Sequence, residues 1–573
     1  MSNQQPQHIE DARGIVDDAW REVLRGLYTQ QNLGLVPERL PDLSATEASR
    51  RSAVGAALIA RLSKVDAGVL PHDLALSLRL VRFRAEIWAR EEQLYWTASD
   101  PVGLGYFGMF LPTAYCGGFL FNFVHAIVRS LRFTTSDDLD RCLGLAADYA
   151  RMIDQVSERT LGQAARSMRM PVPQISATRA LIRAFRDRAS DAWNIPDDRL
   201  VLLDSRRFKD ALGRLISEQI VPAFDRLLGL FDDDYVAKAP SGVGMSQYPG
   251  GSEIYDLLVR MHTTQDLTPQ EVFEAGLSRM ARIEDEMASV RRDAGFTGDG
   301  RAFLAVTAAN RRWRADSIQG IAGFFQRYID RLRPRLGELF HGEVPIPYGV
   351  EPLPEALQGS MTFGYYDAPR PDRQKGVYLF NRANLSNQPL HSIAALTYHE
   401  LVPGHHLHLS SQHRNESLHE FRRHGFVNAY NEGWAEYAAT LAGEAGMYQE
   451  PEERYGRLVM DAFLTSRLVV DTGMNSLGWS LEQAREYMRT HSGMSETEIL
   501  SETLRYSCDL PAQALAYKLG DTYILDLRAK MRAALGAGFD IRDFHGAVLG
   551  PGSLPLADLA WHLEHETSRL LRH

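Results

Sequence analysis

The stretch Tyr398-His399-Glu400-Leu401-Val402-Pro403-Gly404-His405-His406 cannot run as one unbroken helix, and nothing else in the chain constrains its fold as tightly. A helical Pro403 would lack the N–H that bonds the carbonyl four residues back, that of His399, and its ring would clash there. Gly404 adds backbone freedom. On a continuous helix, at roughly 100° per residue, His399 and His405 would lie about 120° apart, while His399 and His406 would share a face ~10.5 Å apart along the axis. The backbone is therefore expected to bulge or unwind at Pro403-Gly404. Such a bulge can bring His405 back towards His399, with His406 as the competing partner.

Eight of the eighteen histidines fall between His391 and His424, where a uniform spread would put about one. Metal binding explains such a cluster because neutral imidazole suits zinc; a solvated, histidine-rich helix surface is the plain alternative. A zinc-binding helix commonly carries H-E-x-x-H, two imidazoles on one face with a glutamate placed to activate water, and here the second histidine is displaced by two residues. A catalytic zinc wants three protein ligands and one open position. Downstream, in Asn431-Glu432-Gly433-Trp434-Ala435-Glu436-Tyr437, Glu432 and Glu436 are four residues apart and can share one helix face. Trp434, Ala435, Ala438 and Ala439 mark that helix as packed, so a buried carboxylate there needs a partner.

Most of the chain reads helical. Residues 145–168 alternate at amphipathic spacing. Thr268 with Pro269 and Glu271, Ser480 with Gln483, and Ser495 with Glu498 announce helix starts by capping boxes. Residues 236–252 are rich in Gly, Pro and Ser and read as a loop or hinge. This suggests a helical N-terminal region over 1–240 and a second region over 241–573. Residues 343–390 hold seven prolines and two β-forming runs, 361–366 and 376–381, which predict a small hairpin (361–381).

Composition excludes several classes. The 63 Lys and Arg against 73 Asp and Glu leave a balance of −10, which argues against a nucleic-acid partner. The apolar window 110–128 is interrupted by Pro112, Asn122 and His125, so a buried core helix is expected rather than a membrane span. Three scattered cysteines and a polar start without an apolar signal segment fit a cytoplasmic protein. A di-iron bundle would need paired E-x-x-H motifs, and Glu416-x-x-His419 is a single candidate.

NEGWAEY (431–437) resembles the third-ligand segment of gluzincin metallopeptidases. HELVPGHHLH together with NEGWAEY, MHTTQDLTPQEVFEAG (261–276), RLVVDTGMNSLGW (467–479) and RYSCDLPAQALAYKLG (505–520) is similar to blocks of the domain-of-unknown-function 885 family of bacterial proteins. The resemblance implies a mainly α, metallopeptidase-like helical body with a small β-sheet near the active-site cleft. It implies one Zn2+ per chain held by His399, His405 and Glu432, with Glu400 as general base. Glu436 would orient a ligand imidazole, Tyr517 in preference to Tyr506 would stabilise the oxyanion, Arg505 would be available for a substrate carboxylate, and Tyr506 would contact substrate. Three departures stand out: no secretion signal is visible, Asn475 replaces a usual His, and His408 replaces a common Gln. The implied reaction is hydrolysis of a peptide or small amide. A tailoring enzyme acting on a small amide and a non-catalytic binding scaffold are the alternatives.

Overall fold

The structure is a computed structural model and describes residues 4–572 except 201–204, 345–346, 355–357, 359–363, 372 and 383–389. Among the described residues helices dominate, joined by one three-stranded sheet. All three expected capping boxes form: Thr268 opens the helix Pro269–Asp293, Ser480 opens Leu481–His491 and Ser495 opens Glu496–Leu504. The amphipathic stretch at 145–168 belongs to the helix Ser136–Ala165, which starts from a fourth box at Thr135. The apolar window at 110–128 runs into the helix Cys116–Ser130, whose Leu120, Phe121, Val124 and Val128 are buried in the protein core. No helix among the described residues is long and apolar enough to cross a membrane.

Two large apolar cores carry the fold. One combines Ala12–Trp88 side chains with most of the apolar residues between Trp313 and Leu563. The other runs from Leu27 to Val272 and takes in Leu468, Cys508, Ala512, Leu515 and Leu519. Each core draws on residues from both sides of 240. The Gly-rich loop around 244 is seated firmly: the Met245 N–H donates to the buried Asn475 Oδ1 (3.0 Å). A Cβ on Gly244, whose φ is 89°, would lie 1.9 Å from the Met474 carbonyl oxygen.

The sheet has three strands, β1 (Tyr348–Pro352), β2 (Gly364–Asp367) and β3 (Gly376–Phe380), in the order β1-β3-β2. β2 and β3 form the expected antiparallel hairpin, with Tyr366 opposite Tyr378; residues 361–363 of the predicted first run lie outside the described residues. β1 pairs in parallel with β3 and was not foreseen. Prolines crowd that segment, and proline is tolerated only at a sheet's edge, which is where β1 sits.

Two glycines bring the site-bearing helices together. The helices Asn428–Glu444 and Ala516–Leu535 cross backbone to backbone: a Cβ on Gly433 would lie 2.6 Å from Gly520 Cα, and one on Gly520 would lie 2.1 Å from the Ala429 carbonyl oxygen. That close approach sets Glu432 and Glu436 beside Tyr517 and Lys518.

Candidate metal centre

The helix Ile393–Glu400 ends just before the break the sequence predicts, and a second helix, His405–Arg414, starts after four intervening residues. Between them the chain folds back on itself. A Cβ on Gly404 would sit 1.7 Å from the His399 carbonyl oxygen, so only glycine fits. The buried Trp434 fixes the turn by donating from its indole N–H to the Pro403 carbonyl (3.0 Å). The fold-back restores the side-by-side placement that two extra residues would have destroyed on a straight helix.

His399, His405 and Glu432 converge, their ligand-capable atoms all within 4.8 Å of one another. His405 Nε2 lies 3.3 Å and His399 Nε2 3.8 Å from the same Glu432 Oε2. The two imidazoles meet nearly at right angles, with ring centroids 4.9 Å apart. His406 points elsewhere: its Nδ1 is 2.8 Å from the Tyr366 hydroxyl of β2, and its ring packs between Tyr348 and Tyr366. Most of the histidine cluster serves structure. His408 Nε2 meets Gln412 Oε1 (2.9 Å), His419 caps the helix Glu420–Arg423, and His424 stacks on Trp20.

Behind His399 lies a buried ion network. His399 Nδ1 is 2.9 Å from Glu436 Oε1. The other oxygen of Glu436 takes Arg457 (3.1 Å) and Lys518 (3.1 Å). Lys518, fully buried, also reaches Asp461 (3.1 Å) and Asp521 (2.7 Å), and Arg279 closes the group on those two aspartates. Three cations thus face three carboxylates. Burial opposes the charge on Glu436, yet Arg457, Lys518 and His399 hold its pKa well below the usual carboxylate range. A carboxylate locked this way fixes Nδ1 of His399 as the donor and leaves Nε2 as the lone-pair side.

Glu400 is 8% exposed and follows His399 in the chain; burial raises its pKa, with the charges of His399 and His405 pulling the other way. Burial also works against ionisation of Glu432, but His405, His399 and the Tyr517 hydroxyl outweigh it. Tyr517 stacks parallel to His399 at 6.1 Å and carries Arg467 over its other surroundings at 4.8 Å. Tyr106, from the N-terminal half, donates its hydroxyl to Glu432 Oε1 (3.3 Å). Its contribution is invisible in the sequence because 326 residues separate the two.

Tyr506 is not brought to the centre as a substrate contact. It is fully buried, its hydroxyl donating to Glu502 and accepting from Arg467 Nε (2.7 Å). Asn475, where a histidine was expected, is likewise occupied: it supports Met245 and donates to the carbonyls of Asp471 and Tyr506 (both 3.0 Å). A second grouping, His341 with Asp540 and Asp543, lies at the surface, and Arg542 occupies Asp540.

Two features test the fit of a metal. Donors ~2.1 Å from a tetrahedral zinc lie about 3.4 Å from one another, close to the separations around Glu432 Oε2. That oxygen is buried and, among the described residues, accepts no hydrogen bond. Two imidazoles and one unspent carboxylate oxygen make a zinc-type donor set.

The chain belongs to the family described as "Bacterial protein of unknown function (DUF885)", whose profile matches residues 28–563. Two solved structures share the fold. One, called a "putative lipoprotein" from Colwellia psychrerythraea, superposes with a TM-score of 0.84 at 23% identity over 99% of this chain and 100% of that one. The other, a "putative lipoprotein of unknown function" from Shewanella oneidensis, gives 0.71 at 16% identity over 97% and 99%. Comparison with curated proteins gives no match.

Proposed function

We propose that this protein is a zinc-dependent hydrolase that cleaves a peptide or peptide-like amide bond. The observation that carries the reading is the convergence of His399, His405 and Glu432 on one buried point, with the buried Glu400 next to His399 in the chain and within electrostatic reach of all three. Zinc held there would supply an acidified water and a charge to polarise the scissile carbonyl. Glu400, its pKa raised by burial, would be the general base and acid, holding a proton on its carboxylate between the attack of water and the departure of the amine. Glu436 keeps His399 oriented, and Tyr106 holds one oxygen of Glu432 so that the other faces the imidazoles. The Tyr517 hydroxyl, kept neutral by burial that raises its pKa, serves as donor to the oxyanion.

Small amides are the favoured form of substrate, because the centre is enclosed: His399 and Glu400 are each 8% and Glu432 is 6% exposed. That favours a tailoring or scavenging role over digestion of folded proteins. The intact Glu400 argues against a scaffold that only binds. Three free, buried cysteines support a cytoplasmic setting, which fractionation of the producing cell would check.

Elemental analysis of the native protein should find about one zinc per chain, lost in His405→Ala and in Glu432→Ala. Glu400→Gln should keep its zinc and lose turnover by roughly 10²- to 10⁴-fold in a screen of amides. Native protein that takes up no zinc when supplied with it would end the proposal.

A further inference from the structure

Arg505 opens a five-residue π-helical turn, Arg505–Asp509, inserted directly after the helix Glu496–Leu504. Such turns re-aim side chains and recur at functional sites. Its side chain keeps 14% of its surface, against 5% for Arg467 and none for Lys518. Arg505 is thus one of the interior cations that keep some open surface, with Arg457 at 10% and Arg279 at 18%. The ring of Tyr115 lies 5.2 Å from its guanidinium. Tyr106, which touches Glu432, and Tyr517, which stacks on His399, both lie in the field of Arg505. These three tyrosines are each partly exposed, and Tyr106 and Tyr517 tie the surroundings of Arg505 to Glu432 and His399.

Arg505 is incompletely hydrogen-bonded. Nη2 donates to Gln513 Oε1 (2.6 Å), but Nε–H has no acceptor among the described residues. Its nearest carboxylate oxygen, Glu502 Oε2 at 3.6 Å, is already shared by the Tyr506 hydroxyl and by Arg467 Nη2 (3.2 Å). Two guanidinium groups thus divide one carboxylate. Asp471 and Asp509 also feel Arg505, but burial holds both up at about 7. Their hydrogen bonds go to Tyr255, Ala512 and Asn475, and to Gln174, respectively. A largely desolvated guanidinium with an N–H that lacks an acceptor offers an anion a charge-assisted hydrogen bond.

We propose that Arg505 seats a carboxylate of the substrate, so that the amide offered to the metal centre belongs to an acid, as in an N-acyl amino acid or the C-terminal residue of a peptide. This names the substrate class for the hydrolase reading and rests on it. A guanidinium recognises a carboxylate through charge-assisted hydrogen bonds that a neutral carboxamide cannot match.

The test is calorimetric binding to the zinc-loaded protein of the monohydroxamates of succinic and glutaric acid, each against the matching carboxamide. The native protein should prefer the acids by about 10- to 150-fold. Arg505→Met should bind the carboxamides as before and lose the preference, while Arg505→Lys keeps part of it. Equal binding of acid and carboxamide by the native protein, which needs no variant, would overturn the proposal. So would a preference that survives in Arg505→Met. If the protein takes up no zinc, the hydrolase reading fails separately. N-acetyl amino acids against their amides on the metal-free protein then decide the role of Arg505 alone, the acid preference and its loss in Arg505→Met supporting it and equal binding overturning it.

Discussion

Gly404 shows how much a single residue decides. Its missing side chain is what lets the backbone return to within van der Waals contact of the His399 carbonyl, with 1.7 Å left for a Cβ. Gly404→Ala should cost roughly 3 kcal/mol or more through overpacking that no rotamer relieves. It should also release the metal, because the fold-back is what brings His405 to His399. Thermal unfolding and zinc content of the variant check both effects; a variant that keeps its zinc would show that the turn has slack. Tyr106→Phe is the gentler counterpart. It removes only the hydroxyl on Glu432, so zinc affinity should fall about 10-fold with the fold intact, measured by competition with a chromogenic chelator.

At the scale of elements, the centre depends on how the helices Asn428–Glu444, Pro451–Asn475 and Ala516–Leu535 share buried charge. Each supplies a member of the network around Glu436: Glu436 itself, Arg457 with Asp461, and Lys518 with Asp521. Lys518→Met leaves three carboxylates to two cations in a sealed space, a loss of about 3–5 kcal/mol. Zinc affinity should drop 10- to 100-fold because Glu436 is no longer held against His399. Adding Asp521→Asn restores the charge balance. The double variant should therefore recover much of the stability while its zinc affinity stays low. Recovery of both together would mean that the network supports the fold and does nothing particular for the ligand.

The whole molecule has a built-in pH response. Burial pushes His262, His408 and His413 down to about 3, and His125, His545 and His562 to about 4. Below the ordinary imidazole value of ~6.5 the unfolded chain protonates all six and the native chain does not, so their contribution is lost as pH falls. Glu91, Asp471 and Asp509, raised by burial to about 7, act in the opposite sense: their contribution is complete at acid pH and is lost as pH rises through 7. Six outweigh three. At pH 5 the unfolded chain binds about three more protons, a slope of roughly 4 kcal/mol per pH unit. Denaturant unfolding of the metal-free protein at pH 7, 6 and 5 should show stability falling towards acid. A flat or rising profile would contradict this balance.

How much of this was legible in the chain itself follows from the range over which each force acts. Capping boxes, helix breaks and the hairpin are local: Thr268 and Glu271, Pro403 and Gly404, or β2 and β3 act over a few residues, and sequence spacing carries them. The family match and the mainly α fold with its small sheet rest on such local signals. The spacing also named both His405 and His406 as candidate partners of His399, and there it stopped. The turn geometry decides between them, since Trp434, 31 residues on, pins the carbonyl of Pro403. Tyr106 on Glu432, Lys518 on Glu436, the parallel strand β1 and the burial of Tyr506 were all decided by tertiary structure. Each depends on packing between segments tens to hundreds of residues apart, and burial and charge pairing at that range have no periodicity for a sequence to display.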